Sequence, residues 1–245
     1  MPTRTAAIVL IGDEILSGKV EDENARFLVG ELRRLGVALR RIVVVPDVVS
    51  DIAEAVRDAA ARYDFVFTSG GVGPTHDDLT MQAVAEAFDR PIVRHPVLEQ
   101  RIRDHFGPNL EERNVRMADL PQGAELVLTS STTWPVPAVA NVYVLPGVPQ
   151  IFRRKFLAIA ARFADTPFFV AAVYSRFDEG KIAGALDAVV AQYAAVQVGS
   201  YPKFDAADYQ VKVTIESKDR LAVEAATDAL VAQLGAAVVR VERVA

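Results

Sequence analysis

The sequence has no cysteine among its 245 residues. That excludes disulfides, thiolate metal sites and a cysteine nucleophile, and it suits a reducing cytosol, so a cytoplasmic location is expected. Histidine is scarce: His76, His95 and His105 stand at no His-x-x-x-His spacing, which leaves a histidine zinc centre without ligands. Aromatic residues make up 8% of the chain and tryptophan occurs once; nothing follows the paired stacking aromatics of RNA-binding sheets. The formal net charge of −5 supplies no general grip on nucleic acid, so no nucleic-acid partner is expected. No run reaches the roughly 18 uncharged apolar residues that a membrane span needs, and no membrane partner is expected. Gly-x-Ser-x-Gly is missing too, and no glycine loop ends in Gly-Lys-Ser or Gly-Lys-Thr, which removes the serine-hydrolase elbow and the Walker A loop.

What is present is enough apolar material for a core: hydrophobic residues are 51% and charged residues 24%, an ordinary globular mixture. Residues 6–11 predict a buried strand, 22–35 a helix, 37–45 a strand, a helix capped by Ser50 or Asp51, 65–67 a strand, and a helix from Asp77 or Asp78 to Phe88. This alternation predicts an α/β fold with a mostly parallel sheet, whose ligands bind beyond the carboxyl ends of the strands. Residues 89–123 read as helices and loops, including 95–106 and 114–120; 125–128 and 141–145 as strands with a loop at 129–137; 150–163 as a basic helix. After Asp165-Thr166-Pro167 the pattern changes. Residues 168–177, 179–193, 196–204, 209–217, 221–234 and 237–241 give the order βαββαβ, the plan of a small α+β ferredoxin-like domain. Two domains are expected, 1–165 and 166–245.

Three candidate loops follow three strands. Thr68-Ser-Gly-Gly-Val-Gly-Pro-Thr-His-Asp-Asp-Leu-Thr80 is the richest. Gly70, Gly71 and Gly73 let a phosphate approach the main chain; Ser69, Thr75 and Thr80 add hydroxyls, and the following helix adds unpaired N–H groups. Asp77 and Asp78 are neighbours, so on a helix they point about 100° apart and serve different atoms. Gly12-Asp13-Glu14 ends the first strand and Pro46-Asp47 the second. Carboxylates gathered at three strand ends repel one another unless a cation joins them, which predicts a divalent metal, Mg²⁺ or similar, held through oxygen. Asp13, Asp47 and Asp78 are the candidate ligands. Asp47, Asp77, Asp78 and Glu14 are the candidate catalytic groups, with Asp77 or Glu14 as general base.

Gly12-Asp-Glu-Ile-Leu16, Asn24, the glycine loop and Leu145-Pro-Gly-Val-Pro149 occur in that order. Together they resemble the molybdopterin-binding domain family over about residues 5–160, in the branch of CinA N-terminal domains and of the N-terminal domain of FAD synthases. The tail from residue 167, with Tyr201-Pro-Lys203, is similar to the small domain that follows in CinA-like proteins. The resemblance implies a three-layer α/β/α domain that forms a homo-oligomer, dimer or trimer. It implies a nucleotide diphosphate or pterin phosphate ligand, contacted by Gly12, Ser69, Gly70, Gly71, Gly73, Thr75, Thr80, Pro146 and Gly147. Asp47 and Asp78 match the two functional aspartates of molybdopterin adenylyltransferases, and Asp13-Glu14 the acidic motif.

One segment departs from the CinA pattern: Thr129-Ser-Ser-Thr-Thr-Trp-Pro-Val-Pro137 lacks the glycines of Asn-x-x-Gly-x-Ala-Pro-Gly and is more similar to the FAD-synthase branch. Three functions remain open. The first is a metal-dependent pyrophosphatase, a hydrolase of ADP-ribose or FAD-type diphosphates. The second is a protein of molybdenum-cofactor biosynthesis that binds or adenylates molybdopterin. The third is a non-catalytic ligand-binding module.

Overall fold

The computed structural model describes residues 3–128, 134–203 and 208–244. The chain divides into two compact units, Met1–Asp165 and Thr166–Ala245. No helix among the described residues is long and apolar enough to cross a membrane.

The first unit runs β1 (Thr5–Ile11), α1 (Asp13–Leu16), α2 (Asn24–Arg34), β2 (Ala38–Val45), α3 (Val49–Arg62), β3 (Phe65–Ser69) and α4 (Thr80–Ala87). It continues with β4 (Ile92–Arg94), α5 (Pro96–Phe106), α6 (Glu112–Val115), β5 (Asp119–Pro121), β6 (Glu125–Val127), β7 (Val136–Val139), β8 (Val142–Leu145) and α7 (Pro149–Ile159). Six strands form one sheet in the order β2-β1-β3-β8-β7-β6. The pairs β1–β2, β1–β3 and β3–β8 are parallel, and β7 is antiparallel to both neighbours.

The sequence of β1 explains the layering. Its alternate residues enter two different cores, because side chains on a strand alternate faces. Ala6, Ile8 and Leu10 pack with α2 and α7, whereas Ala7, Val9 and Ile11 pack with α3 and α4. A strand buried on both faces must be apolar throughout, and residues 6–11 are. The result is the expected three-layer α/β/α arrangement on a mostly parallel sheet. β1, β2 and β3 all run the same way, so their carboxyl ends open on one edge.

Several boundaries differ from the sequence reading. α3 begins at Val49; Ser50 and Asp51 lie inside its first turn, with the Ser50 hydroxyl turned to the Asp51 carboxylate. α4 begins at Thr80 rather than at Asp77 or Asp78, because Asp78 bends back to the N–H of Thr75 and closes a turn instead. Residues 119–121, read as helix and loop, form β5, which pairs with β4 in a separate two-stranded sheet. Val136 and Pro137, read as loop, belong to β7. Pro137 stands opposite Leu126, past the paired residues Ala138–Tyr143 and Val139–Val142, so its missing N–H falls outside the β7–β8 ladder. The rest of that expected loop, 129–133, lies outside the described residues.

The second unit contains β9 (Phe169–Ser175), α8 (Glu179–Gln192), β10 (Gln197–Pro202), β11 (Val211–Ser217), α9 (Arg220–Leu234) and β12 (Val238–Val244). The strand order is β10-β11-β9-β12, all antiparallel, which is the ferredoxin-like plan. Asp178 caps α8 and Asp219 caps α9 through side-chain hydrogen bonds to first-turn N–H groups. Ile182, Val189, Leu230 and the inward residues Val211, Val213 and Ile215 build its core. The strand expected at 196–204 ends at Pro202; Phe204 is outside the described residues.

Candidate functional site

The site is built where three strand ends meet backbone to backbone. The N–H of Gly12 donates to the carbonyl of Val45, 3.2 Å, extending the β1–β2 register past the strand. Gly70 sits against β1 so closely that a Cβ would lie 2.2 Å from the carbonyl oxygen of Ile11, and its φ is +111°. No side chain is compatible with that approach. A Cβ on Gly147 would meet Cα of Gly70 at 3.3 Å, so the Pro146-Gly147 turn rests on the glycine loop.

A polar clip under this contact joins the pieces. Asn24, the first residue of α2, is 4% exposed. Its Nδ2 donates to Oγ of Ser69 at 2.9 Å and to the carbonyl of Gly147 at 2.7 Å. Thr80 is fully buried; its hydroxyl donates to the carbonyl of Gly70, 2.8 Å, and its N–H to that of Gly71, 3.0 Å. Ser69 and Thr80, expected as ligand contacts, are both buried: the Thr80 hydroxyl donates within the loop and the Ser69 oxygen accepts from Asn24.

Above the clip the loop is open. Among the described residues, the N–H groups of Gly71, Val72 and Gly73 donate to no protein acceptor. Successive free amides of this kind are what an anion-binding nest requires. Asp78 accepts from the N–H of Thr75 at 2.7 Å and from its hydroxyl, and its carboxylate lies 2.7 Å from where a Cβ of Gly73 would stand. Asp77 points outward, its exposed carboxylate beside His76.

The acidic side lies across the loop. Asp47 follows β2 by two residues and accepts the N–H of Asp13 at 2.9 Å. The Glu14 carboxylate folds over Gly12, 2.6 Å from its would-be Cβ. Burial pushes the Asp47 carboxyl up; the Asp13 N–H bond opposes this, and the charges of Glu14, Asp13 and Asp77 add to the rise. Asp13, Glu14 and Asp47 therefore lie together at the ends of β1 and β2, with Asp77 near enough for its charge to act on Asp47.

Asp78 turns one carboxylate oxygen, Oδ2, to Thr75 instead. Among the described residues no three His, Asp or Glu side chains form a preformed metal cage. The donors still fit a hard cation. They are carboxylate oxygens, and Mg²⁺ takes one or two carboxylates while filling its shell with water and ligand phosphate.

A pocket of about 430 Å³ adjoins the loop. Gly71, Gly73, Thr75 and Asp78 of the loop line it together with Met81, Ile92, Arg116 and Met117. The sequence reading missed Arg116 and Met117. Spacing carried no signal, since Arg116 looks like any solvated charge beside Glu112 and Arg113; only the β4–β5 pair brings it to the loop.

Residues 7–165 match the family model described as probable molybdopterin binding domain. The chain belongs to that family. Residues 167–242 match the FAD synthase middle domain, so the tail is shared with that enzyme group. The chain is 34% identical over 255 residues to a probable FAD synthase of Caenorhabditis briggsae, covering 93% of this chain and 49% of that one. It thus spans about half the length of that relative. A protein of Pyrobaculum calidifontis is 34% identical, with 94% of both chains covered. The crystal structure of CinA from Thermoplasma acidophilum, described as of unknown function, superposes with a TM-score of 0.60 at 30% identity, over 66% of this chain and 98% of that one.

Proposed function

We propose that the first unit is a metal-dependent pyrophosphatase for nucleotide diphosphates of the ADP-ribose or FAD kind. One observation carries this reading: carboxylates with no cation partner, Asp13, Glu14 and Asp47, border a loop with three free amides. In that arrangement the N–H groups of Gly71, Val72 and Gly73 orient the diphosphate and take up charge as it develops on the phosphoryl oxygens. Asp13 and Asp47 hold the cation. When bound, a divalent ion supplies a Lewis acid for a phosphoryl oxygen and lowers the pKa of water. Glu14 accepts the proton of the attacking water, one P–O bond of the anhydride breaks, and two phosphate monoesters leave. Asp77 adds its charge to the negative wall facing the cation. The similarity to FAD synthases supports a dinucleotide-like substrate.

The test is product formation from ADP-ribose and FAD across a panel of divalent metals. Turnover that needs metal and drops on the order of 100-fold in Asp47→Asn is the expected outcome; full activity in that variant removes the assignment. The family match favours a second reading, in which the same cradle holds the terminal phosphate of molybdopterin. Calorimetry decides between them: tight molybdopterin binding without ADP-ribose binding favours the second.

A further inference from the structure

Gly71, Val72 and Gly73 line the pocket, while Asp13, Glu14 and Asp47 do not. An anhydride lying on the Gly71–Gly73 amides therefore borders the pocket. We infer that this pocket is the subsite for the planar heterocycle of the nucleotide, and that Arg116, Met117 and Gln82 determine which diphosphate is accepted. The inference rests on the hydrolase reading and extends it to substrate choice.

The chemistry of the walls supports a ring. A volume of about 430 Å³ lies within the span of small-molecule sites. Met81 and Met117 line it together with Val72 and Ile92. Thioether sulfurs are polarizable and favour contact with aromatic rings. Both methionines also pack on the small buried cluster of Leu98, Ile102, Ala118 and Leu120, so the wall is anchored. Gln82 lines the pocket from the first turn of α4, and its amide makes no hydrogen bond among the described residues. An amide offers both donor and acceptor to a ring edge.

Charge separates Arg116 from its neighbours. Arg94 is spent on Asp119, with a second contact to Glu99 at 4.0 Å. Asp119, the other acid at that wall, is therefore neutralised. Asp78 is occupied by Thr75. Arg116 has no acidic partner among the described residues and is exposed at the pocket. A free guanidinium beside three free amides matches a phosphate that takes two parallel hydrogen bonds.

Equilibrium binding of ADP-ribose, FAD and inorganic pyrophosphate in Mg²⁺, by the full chain, tests this. Pyrophosphate fills the cradle without a ring. Wild type is expected to prefer ADP-ribose or FAD to pyrophosphate. Met117→Ala and Gln82→Ala reduce that preference about tenfold while leaving pyrophosphate affinity unchanged; Arg116→Ala weakens all three about tenfold, and Arg116→Lys recovers part of the loss. If the two wall variants leave the preference unchanged, or wild type shows none, the ring lies elsewhere and the inference is overturned while the hydrolase reading stands. If wild type binds and cleaves no diphosphate with any metal, the hydrolase reading itself fails. Arg116 and Gln82 are exposed, so unchanged thermal unfolding in their variants excludes misfolding as the cause.

Discussion

Two groups of acidic residues behave in opposite ways, one beside the glycine loop and one in the second unit. In the second unit Asp178 and Glu242 are matched. Asp178 is held below the usual range by Lys181, through its side chain and then its backbone N–H. Glu242 is held low by the Tyr174 hydroxyl and then by Arg240. In the first unit, Asp47 accepts one backbone N–H and is surrounded by Glu14, Asp13 and Asp77, which together with burial push it up. Matched charges at the surface are ordinary structure. Gathered like charges cost stability, a cost that the proposed cation would relieve. The backbone repeats the contrast. Gly70 is jammed against Ile11 at φ +111°, whereas Gly184 in α8 has nothing within 4 Å of its would-be Cβ.

The backbone difference gives the largest expected effect. Gly70→Ala forces a Cβ into the Ile11 carbonyl at a left-handed φ, and is expected to destabilise the first unit by at least about 3 kcal/mol. Gly184→Ala is expected to stabilise the second by about 0.5–1 kcal/mol, because it removes backbone freedom from the unfolded helix. Urea unfolding followed on both variants measures the pair. Equal and small effects would remove the claim that the site unit carries the constraint.

Lys155 extends the comparison to a cation. It donates to the carbonyl of Pro135 at 2.8 Å and meets no carboxylate; burial, then the nearby Arg154 charge, pulls its pKa down to about 8 from 10.5. A depressed basic pKa makes the folded state release its proton first. The cost of the buried ammonium is full below about pH 8 and vanishes as pH rises to 10.5. Wild type should therefore gain up to ~3 kcal/mol relative to Lys155→Met between pH 7 and pH 10.5. Calorimetric unfolding across that range reads the gain, and a flat difference would mean that the amine is hydrated.

Asp47→Asn sharpens the acidic side. The substitution removes the repelled charge and keeps the shape, so activity should fall on the order of 100-fold while the melting temperature in metal-free buffer rises at pH 7. A variant that loses both activity and stability would make Asp47 a structural cap for Asp13 rather than a group kept for a ligand.

Which parts of this were legible in the sequence follows from range. The apolar run of β1 and the turns after β1, β2 and β3 are local signals, and they gave the parallel sheet and the converging loops. The βαββαβ periodicity of the tail is local too. Asp78 was misplaced as a partner of Asp13 and Asp47 because its choice of Thr75 depends on the turn geometry of a few residues, below what propensity resolves. β7 was hidden by Trp134-Pro-Val-Pro137, since prolines inside a strand are tolerated only where the ladder leaves their nitrogen unpaired. Arg116 became visible only through the pairing of β4 with β5, a contact set by tertiary structure.

The smallest effect is the most direct check on the contrast. Tyr174 donates to Glu242 at 2.8 Å and Arg240 donates to it at 3.0 Å, and the Arg240 guanidinium lies 3.7 Å from the centre of the Tyr174 ring. A carboxyl held below 4.5 contributes stability that is fully present above that pH and is lost as pH falls through its folded value. The advantage of wild type over Glu242→Gln should therefore shrink on acidification below pH 4.5 and shrink again in 1 M salt, where exposed pairs are screened. Asp47 must do the reverse. Its raised carboxyl costs stability when ionised, so in metal-free buffer wild type should recover toward Asp47→Asn as pH falls. Unfolding curves of the two variants over pH 3–7 should diverge from wild type in opposite senses; slopes of the same sign would mean that the carboxylates of the two units share one environment and that the first holds no charge in reserve for a ligand.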